Sequence, residues 1–259
     1  VSAEPVHIKV GVYDNPPKVY TEDGVVKGFW ADIINHIAEQ ESWELEYVYG
    51  TWDDCLTWLE NGEIDMYMDV AYSEERAQVY DFTEEDVLVN MAKIYVPKGS
   101  TIETILDLEE KRIGVMKRGI HYIGPEGIEN TLDRFDIDAE LVEKDGYEDI
   151  FIALDNREID AGVVNDLFGK SQMEGYSIDP TSIIFNPIGL RFAFTKNASL
   201  NRYLIETIDS HIIQLKTDQD SIYYVSAEEH FGQYFTKKEE RLPGWVLWIM
   251  GIFIIAVLF

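Results

Sequence analysis

Hydrophobic and polar positions in the first part of the chain follow two different periods. Residues 8–12 alternate apolar and polar side chains, and residues 45–49 form a second short apolar run, as strands do. Between these runs, five apolar residues recur at helical spacing: Phe29, Trp30, Ile33, Ile34 and Ile37. Residues 52–59 form another helical stripe, which ends at Gly62 because glycine readily adopts the left-handed cap. Alternating strands and helices predict an α/β fold with a mostly parallel sheet and helices on both faces.

The stretch 61–83, NGEIDMYMDVAYSEERAQVYDFT, predicts a buried strand that leads directly into a helix. Residues 64–70 form the strand, and the Ser73 hydroxyl can cap the helix, whose first turn carries two glutamates. Asp69 and Arg76 flank the change from strand to helix. Ligands in open α/β sheets bind just outside the carboxyl ends of strands, and a guanidinium pairs well with an anionic group. We therefore expect Arg76 to hold a ligand, unless it only bridges nearby aspartates.

A short motif occurs twice, as Asn-Gly-Glu-Ile-Asp at 61–65 and as Asn-Arg-Glu-Ile-Asp at 156–160. Each copy follows an apolar helix and precedes a hydrophobic strand, so two copies of one α/β unit would give two similar lobes. The second unit should contain two strands, at 112–116 and 139–142, and two helices, at 127–135 and 147–154. Residues 189–195 would return the chain to the first lobe. Two such crossings make a hinge, with a cleft between the lobes.

The end of the chain predicts a membrane-spanning helix. Residues 242–259 contain no charged side chain, and Trp245 and Trp248 stand near their start, where interfacial aromatic residues belong. In a helix this run would reach about 27 Å, close to the thickness of the hydrocarbon core. Two helices are expected before it, at 201–216 and 227–234, followed by a charged linker at 237–241.

Composition excludes several function classes. The chain has 21 basic and 49 acidic residues, a net charge of −28, which argues against nucleic acid as a partner. The single cysteine, Cys55, permits no internal disulfide and is expected to be buried and inert rather than reactive. The five histidines show no metal-ligand spacing, and no catalytic or phosphate-binding motif is present. No metal and no cofactor are therefore expected.

Three motifs taken in order resemble the bacterial extracellular solute-binding proteins of family 3, which include binders of polar amino acids. They are IKVGVYDNPPKVY at 8–20, GFWADIINHIAEQ at 28–40, and the GEID, SEER and DFT elements of 62–83. The resemblance spans roughly residues 7–235. It implies a two-lobed Venus-flytrap fold of the type 2 periplasmic-binding-protein kind. The first lobe would consist of 1–96 and 190–236, and the second of 97–189.

This resemblance implies roles for residues of the first lobe. Arg76 stands at the arginine that binds the ligand carboxylate in amino-acid binders. Asp69 and Ala71 stand, with Met68, where those proteins usually place small hydroxyl residues. Asp69 is therefore expected either to form an internal ion pair with Arg76 or to bind a positively charged group of the ligand.

Further candidates follow the first strand and open the second helix. Asp14 and Asn15 would face the cleft, or else form an Asx turn before the prolines. Asn15 falls where related binders often carry an aromatic residue that stacks on the ligand. Trp52 could supply an apolar or cation–π surface, or be an ordinary core residue.

In the second lobe, KRGIH at 117–121 resembles the strand–turn–helix anion nest of the family, usually K-G-S/T. Backbone N–H groups around Gly119 would bind an anion, while Ile120 replaces the usual hydroxyl residue. His121 could donate to a ligand or simply begin the helix. Asn165 falls where an aspartate usually holds the α-amino group, and its amide is neutral.

The sequence therefore predicts a small-molecule-binding sensor domain, similar to those ahead of histidine kinases and diguanylate cyclases. It would lie on the periplasmic side of the membrane, anchored by its C-terminal helix, with a second copy of the chain as a candidate partner. Its ligand would be an amino acid, a carboxylate or an amine, and lobe closure would signal through the helix. The alternatives are the binding component of an ABC transporter and, on the same fold, a dehydratase-type enzyme using Asp14 or Asp69. The domain itself is expected not to be an enzyme.

Overall fold

The computed structural model describes residues 5–235. The first part of the chain forms β1 (His7–Val12), β2 (Tyr20–Glu22), β3 (Val25–Lys27), α1 (Phe29–Glu41), β4 (Glu44–Tyr49), α2 (Trp52–Asn61), β5 (Met66–Ala71), α3 (Glu74–Val79), β6 (Tyr80–Phe82) and β7 (Leu88–Pro97). The remainder forms β8 (Arg112–Met116), α4 (Ile120–Ile123), α5 (Ile128–Arg134), β9 (Glu140–Lys144), α6 (Tyr147–Asp155), β10 (Ala161–Asn165), α7 (Asp166–Gln172), β11 (Ile178–Thr195), α8 (Asn201–Thr217) and α9 (Ile222–Phe235). Within residues 5–235 the predicted helices and strands are present, and α9 begins earlier than the sequence indicates.

Hydrogen bonds join the strands in the order β4-β1-β5-β11-β7-β10-β8-β9, with β6 paired to β11. Strands β4, β1 and β5 are parallel and belong to the first lobe, and β10, β8 and β9 are parallel and belong to the second. The prediction of a mostly parallel sheet is wrong at the centre, where β11 and β7 are antiparallel to their neighbours. These two strands join the lobes, and they run in opposite directions because one leaves the first lobe and the other returns.

The fold is thus an α/β fold of two lobes, each with a parallel flank of the sheet. Strand β11 shifts register against β7 twice, between Pro180 and Ile184 and between Phe185 and Ile188. Such irregularities bend a strand pair and change its twist. The exact lobe boundaries, at 96/97 and 189/190, stay a prediction.

The two copies of the repeated motif perform the same local task. Asp65 accepts a hydrogen bond from the backbone N–H of Lys9 at 2.8 Å, and Asp160 accepts one from Arg112 at 2.9 Å. In return, each aspartate donates its own N–H to the carbonyl of the same partner residue. The aspartate of each copy therefore fixes the start of the adjacent strand, β1 in the first lobe and β8 in the second.

Helix ends follow the chemistry that the sequence indicates. Gly62 ends α2 with a φ of 73°, in the left-handed region. The Ser73 hydroxyl accepts the N–H of Arg76 at 3.2 Å and so caps α3. Both predictions are confirmed.

Apolar burial also follows the predicted stripes. The five apolar residues of α1 are fully buried, and Trp30 packs edge-on against Phe192 of β11 with 4.9 Å between ring centroids. Cys55 is buried, and burial raises the pKa of its thiol to about 12, so it is inert as predicted. The predicted linker at 237–241 and helix at 242–259 lie outside the described residues. Within 5–235, the helices are too short or too polar to cross a bilayer.

Candidate functional site

A small cavity, here called the inner cavity, lies between the lobes at the carboxyl ends of β1, β5 and β10. Its volume is about 20 Å³, enough for about one water molecule. Its lining contains Tyr13, Asn15, Lys18, Trp52, Asp69, Ala71, Arg76, Asn90, Met116, Ile120, His121, Tyr147, Asn165 and Leu190. Eight of the ten residues proposed from the sequence are in this set; Asp14 and Gly119 are not.

Asp69 lies in the C-terminal half of β5 in a left-handed conformation, with a φ of 64°, which an aspartate tolerates better than most residues. The carboxylate lies 2.7 Å from the Lys18 ammonium and accepts hydrogen bonds at 2.8 Å from both the Tyr13 hydroxyl and the Asn15 amide. The side chains of Lys18 and Asp69 are 3% and 0% exposed. Burial lowers the pKa of Lys18 even with the carboxylate beside it.

The expected ion pair between Asp69 and Arg76 is therefore wrong, because Lys18 takes that place. Lys18 follows the two prolines after β1 and reaches back over the strand end, a contact that the sequence reasoning missed. The buried ammonium and carboxylate together carry no net charge.

Arg76, on α3, is partly buried and uses its guanidinium on backbone carbonyls. Nη1 donates to the Ala71 carbonyl at 3.1 Å, and Nη2 donates to the Arg118 carbonyl of the second lobe at 2.9 Å. The guanidinium carbon lies 5.6 Å from the centre of the Trp52 ring, a cation–π distance. Burial lowers the pKa of Arg76 to about 10, so the group is still charged at neutral pH. Within residues 5–235, no carboxylate pairs with it.

His121 and Ile120 form the second-lobe wall of the inner cavity. His121 is buried, and its Nδ1 lies 3.2 Å from the side-chain amide of Asn186, which also donates to the Ile120 carbonyl. Burial, with the positive charges of Lys18 and Arg76, lowers the pKa of His121 to about 3. The imidazole is therefore neutral near neutral pH.

Asn165 caps α7 and bridges the lobes. Its Oδ1 accepts from the Phe168 N–H and from the Asn90 amide, both at 2.9 Å. Its Nδ2 donates to the Asn15 side-chain oxygen at 2.9 Å, across the cleft. The amide predicted to stand at an ammonium position is thus committed to protein partners.

The two remaining candidates lie outside the inner cavity. Asp14 accepts from the Tyr49 hydroxyl and from the Thr21 N–H, and it lines a second, wider space, here called the outer groove. The outer groove has a volume of about 340 Å³. It shares Tyr13, Trp52 and Tyr147 with the inner cavity, and it carries five carboxylates: Asp14, Asp54, Asp145, Glu148 and Asp149. Gly119 precedes α4, and its N–H donates to the Met116 carbonyl at 2.9 Å rather than pointing into the cavity.

A cluster of four charged residues, here called the inter-lobe latch, joins α2 to the turn after β8. The Asp53 carboxylate lies 2.6 Å from the Lys117 ammonium and 3.0 Å from the Arg118 guanidinium, and Arg118 also forms an ion pair with Glu60. Burial alone would raise the pKa of the Asp53 carboxyl. The hydrogen bonds from the two cations outweigh this effect, so the pKa is lowered. The sequence reasoning assigned 117–121 to anion binding and missed this role.

Comparison with known proteins places the chain in a family. A model of the bacterial extracellular solute-binding proteins, family 3, matches residues 8–221. A probable histidine-binding protein of Campylobacter jejuni is 27% identical over 218 residues, which cover 82% of this chain and 80% of the relative.

Solved structures show the same fold. An ancestral arginine-binding protein bound to arginine gives a TM-score of 0.76 at 22% identity, over 87% of this chain and 98% of that one. A histidine kinase sensor domain similar to periplasmic binding proteins gives a TM-score of 0.74 at 19% identity, over 88% of this chain and 96% of that one. With the family model covering most of its length, the chain belongs to the bacterial extracellular solute-binding proteins of family 3.

Proposed function

We propose that this chain is an extracytoplasmic binding domain whose lobes close on a small molecule carrying a carboxylate or a similar anionic group. The observation that carries the proposal is the Arg76 guanidinium, which lines the inner cavity and, among the described residues, bonds to two backbone carbonyls and lies over an aromatic face. A partly buried cation without an anionic partner is costly, and an anionic ligand would remove that cost. The histidine-binding name of the Campylobacter relative supports an amino-acid-like solute.

The closed arrangement of the lobes supports binding by closure. The inner cavity, at about 20 Å³, is too small for an amino acid, so the lobes must separate to admit one. A ligand that contacts both lobes then stabilises the closed state by its higher affinity for that state.

The same geometry favours binding over catalysis. Asp69, one carboxylate considered for a dehydratase, already accepts hydrogen bonds from Lys18, Tyr13 and Asn15. Asp14, the other, faces the outer groove.

The test is calorimetry of the domain with a panel of amino acids, carboxylates and amines, followed by Arg76→Ala. Losing the guanidinium from a buried anion site should cost about 2–5 kcal/mol of binding. Arg202→Ala is the matched control, because that side chain is 89% exposed and pairs only with Glu206 of its own helix among the described residues. Equal ligand affinity in both variants, with the fold intact by circular dichroism, would refute the assignment.

We further propose that the domain is the sensor of a membrane receptor rather than the binding component of a transporter. The supporting observation is the charge-free sequence 242–259, which follows the charged residues at 237–241. Lobe closure would move that segment relative to its copy in a dimer. Inserting several Gly-Ser pairs after Lys238 of the full-length protein should keep ligand affinity but make the output independent of ligand, since flexible linkers transmit little force. An output that still follows ligand would contradict rigid coupling and favour a role through a separate partner.

A further inference from the structure

We propose that the ligand is a carboxylate without an ammonium group on the adjacent carbon, so that this cleft selects against free α-amino acids. The inference rests on the proposed function and narrows its ligand class. It follows from the charges and hydrogen bonds that the closed inner cavity already contains.

Asp69 is the only anionic side chain among the described residues lining the inner cavity. Both of its oxygens lie 2.7 Å from the Lys18 ammonium, and one also accepts from Tyr13 and Asn15. A ligand ammonium could reach this carboxylate only by displacing Lys18. The displaced ammonium, in a side chain only 3% exposed, would then be buried without a partner.

The side-chain amide oxygens in the cavity are engaged as well. The Asn165 side-chain oxygen already accepts two hydrogen bonds, from Asn90 and from the Phe168 N–H. The side-chain oxygens of Asn15 and Asn90 accept from the Asn165 amide and the Met91 N–H. An incoming ammonium would therefore find the carboxylate and the three asparagine oxygens of the lining already hydrogen-bonded to donors of the protein.

The net charge of the lining leads to the same conclusion. Lys18 and Asp69 cancel, His121 is neutral, and Arg76 contributes one positive charge. A monocarboxylate would bring this lining to neutrality. A zwitterionic amino acid would leave the positive charge uncompensated and would place an ammonium close to two cations. Because a buried polar group without a partner costs binding, we expect at least about tenfold weaker binding of the amino acid.

The test uses pairs of compounds that differ only in the α-ammonium group. They are L-histidine and 3-(imidazol-4-yl)propanoate, L-arginine and 5-guanidinopentanoate, L-glutamine and 4-carbamoylbutanoate, and L-alanine and propanoate. Each pair keeps the same side chain, so any contribution of the acidic outer groove cancels within it. Calorimetry on the wild-type domain should show tighter binding of the ammonium-free member wherever either member binds.

Lys18→Met tests the cause. Removing the ammonium while keeping an unbranched side chain frees Asp69 for the ligand, so the preference within each pair should shift toward the amino acid by about tenfold or more. Lys9→Met makes the same change at an exposed lysine of β1 and should leave the preference as in the wild type. If Lys18→Met does not fold, the wild-type pairs still decide the question.

The outcomes separate this inference from the proposal beneath it. Tighter binding of an amino acid than of its ammonium-free partner in the wild type would overturn the inference and leave the proposed function standing. Binding of neither member of any pair, with correctly folded protein, would overturn the proposed function and this inference with it.

Discussion

Lys18 sets the charge balance of the inner cavity by pairing with Asp69, although the two residues lie far apart in sequence. Its ammonium lies against Asp69, which sits in a left-handed conformation in the C-terminal half of β5. Replacing a buried ion pair as a whole is often tolerated, whereas removing one partner leaves a charge without compensation. The stability of the domain should therefore depend on the pair as a unit.

We expect Asp69→Asn to lower the free energy of unfolding by about 3–5 kcal/mol, because Lys18 would remain buried and charged. The double variant Lys18→Met with Asp69→Asn should recover much of that loss. Urea denaturation of the wild type, both single variants and the double variant gives the coupling energy. Lys27→Met, which breaks the exposed pair with Glu22, should change little. Simple additivity of the two buried substitutions would contradict the prediction.

His121 should make stability depend on pH. Its pKa is about 3 in the folded protein, whereas the pKa of a histidine in an unfolded chain is about 6.5. Between these values the unfolded chain binds a proton that the native protein does not, so stability rises with pH by at most about 1.4 kcal/mol per unit. His121→Gln should remove this component, and His7→Gln, at an exposed position, should not. The measurement is urea denaturation between about pH 4 and 7, and equal slopes in both variants would count against the buried neutral imidazole.

At the scale of elements, α2 contributes both an aromatic wall of the cavity and the acidic side of the inter-lobe latch. Asp53, Thr57 and Glu60 are spaced so that they share one face of the helix, and Arg118 contacts all three. Partly exposed ion pairs are individually weak, but three in one cluster should together favour the closed arrangement of the lobes.

We expect Asp53→Asn combined with Glu60→Gln to open the ligand-free domain, with a larger radius of gyration by small-angle X-ray scattering. Ligand affinity should fall, because the ligand would have to supply the closing free energy alone. Glu206→Gln, on an exposed face of α8, is the control. An unchanged scattering profile for the double variant would mean that other contacts, such as the Asn165–Asn15 bond, hold the lobes together.

Local rules predicted most elements, whereas the site required contacts over long sequence separation. Gly62 and Ser73 act as expected because a cap depends on its own neighbours. The Lys18–Asp69 pair could not be derived, because the sequence offers Asp69 more than one nearby cation and does not show which one reaches it. Likewise, the position of Lys117 and Arg118 after a strand resembles an anion nest. Their pairing with the acidic face of α2 depends on how the lobes pack together, which the sequence does not show.

At the scale of the whole molecule, the net charge of −28 opposes the approach of an anion. Binding of a carboxylate therefore requires a local positive group on an otherwise strongly negative protein, and Arg76, which lines the inner cavity, is the group that we propose for this role. The acidic outer groove lies next to the inner cavity and adds to this negative charge.

The association rate of a carboxylate ligand should accordingly rise with ionic strength. The Debye length is about 30 Å at 0.01 M salt and about 10 Å at 0.1 M, so added salt should shorten the range over which the protein repels the ligand. Stopped-flow binding of whichever carboxylate the calorimetry identifies should be faster at the higher salt, and a neutral amide of the same compound serves as the control. A rate that falls with salt would indicate attractive steering instead.

The position of β11 in the sheet has a consequence for synthesis on the ribosome. Strands β8, β9 and β10 pair with one another and all emerge between residues 112 and 165, so the second lobe can complete its parallel flank early. Strand β5, made long before, pairs on one side with β11, which emerges only at residues 178–195. The first lobe should therefore keep an unpaired sheet edge, exposed to other chains, until residues 178–195 have been translated. In this domain, the lobe whose translation begins first is therefore expected to complete its part of the sheet last.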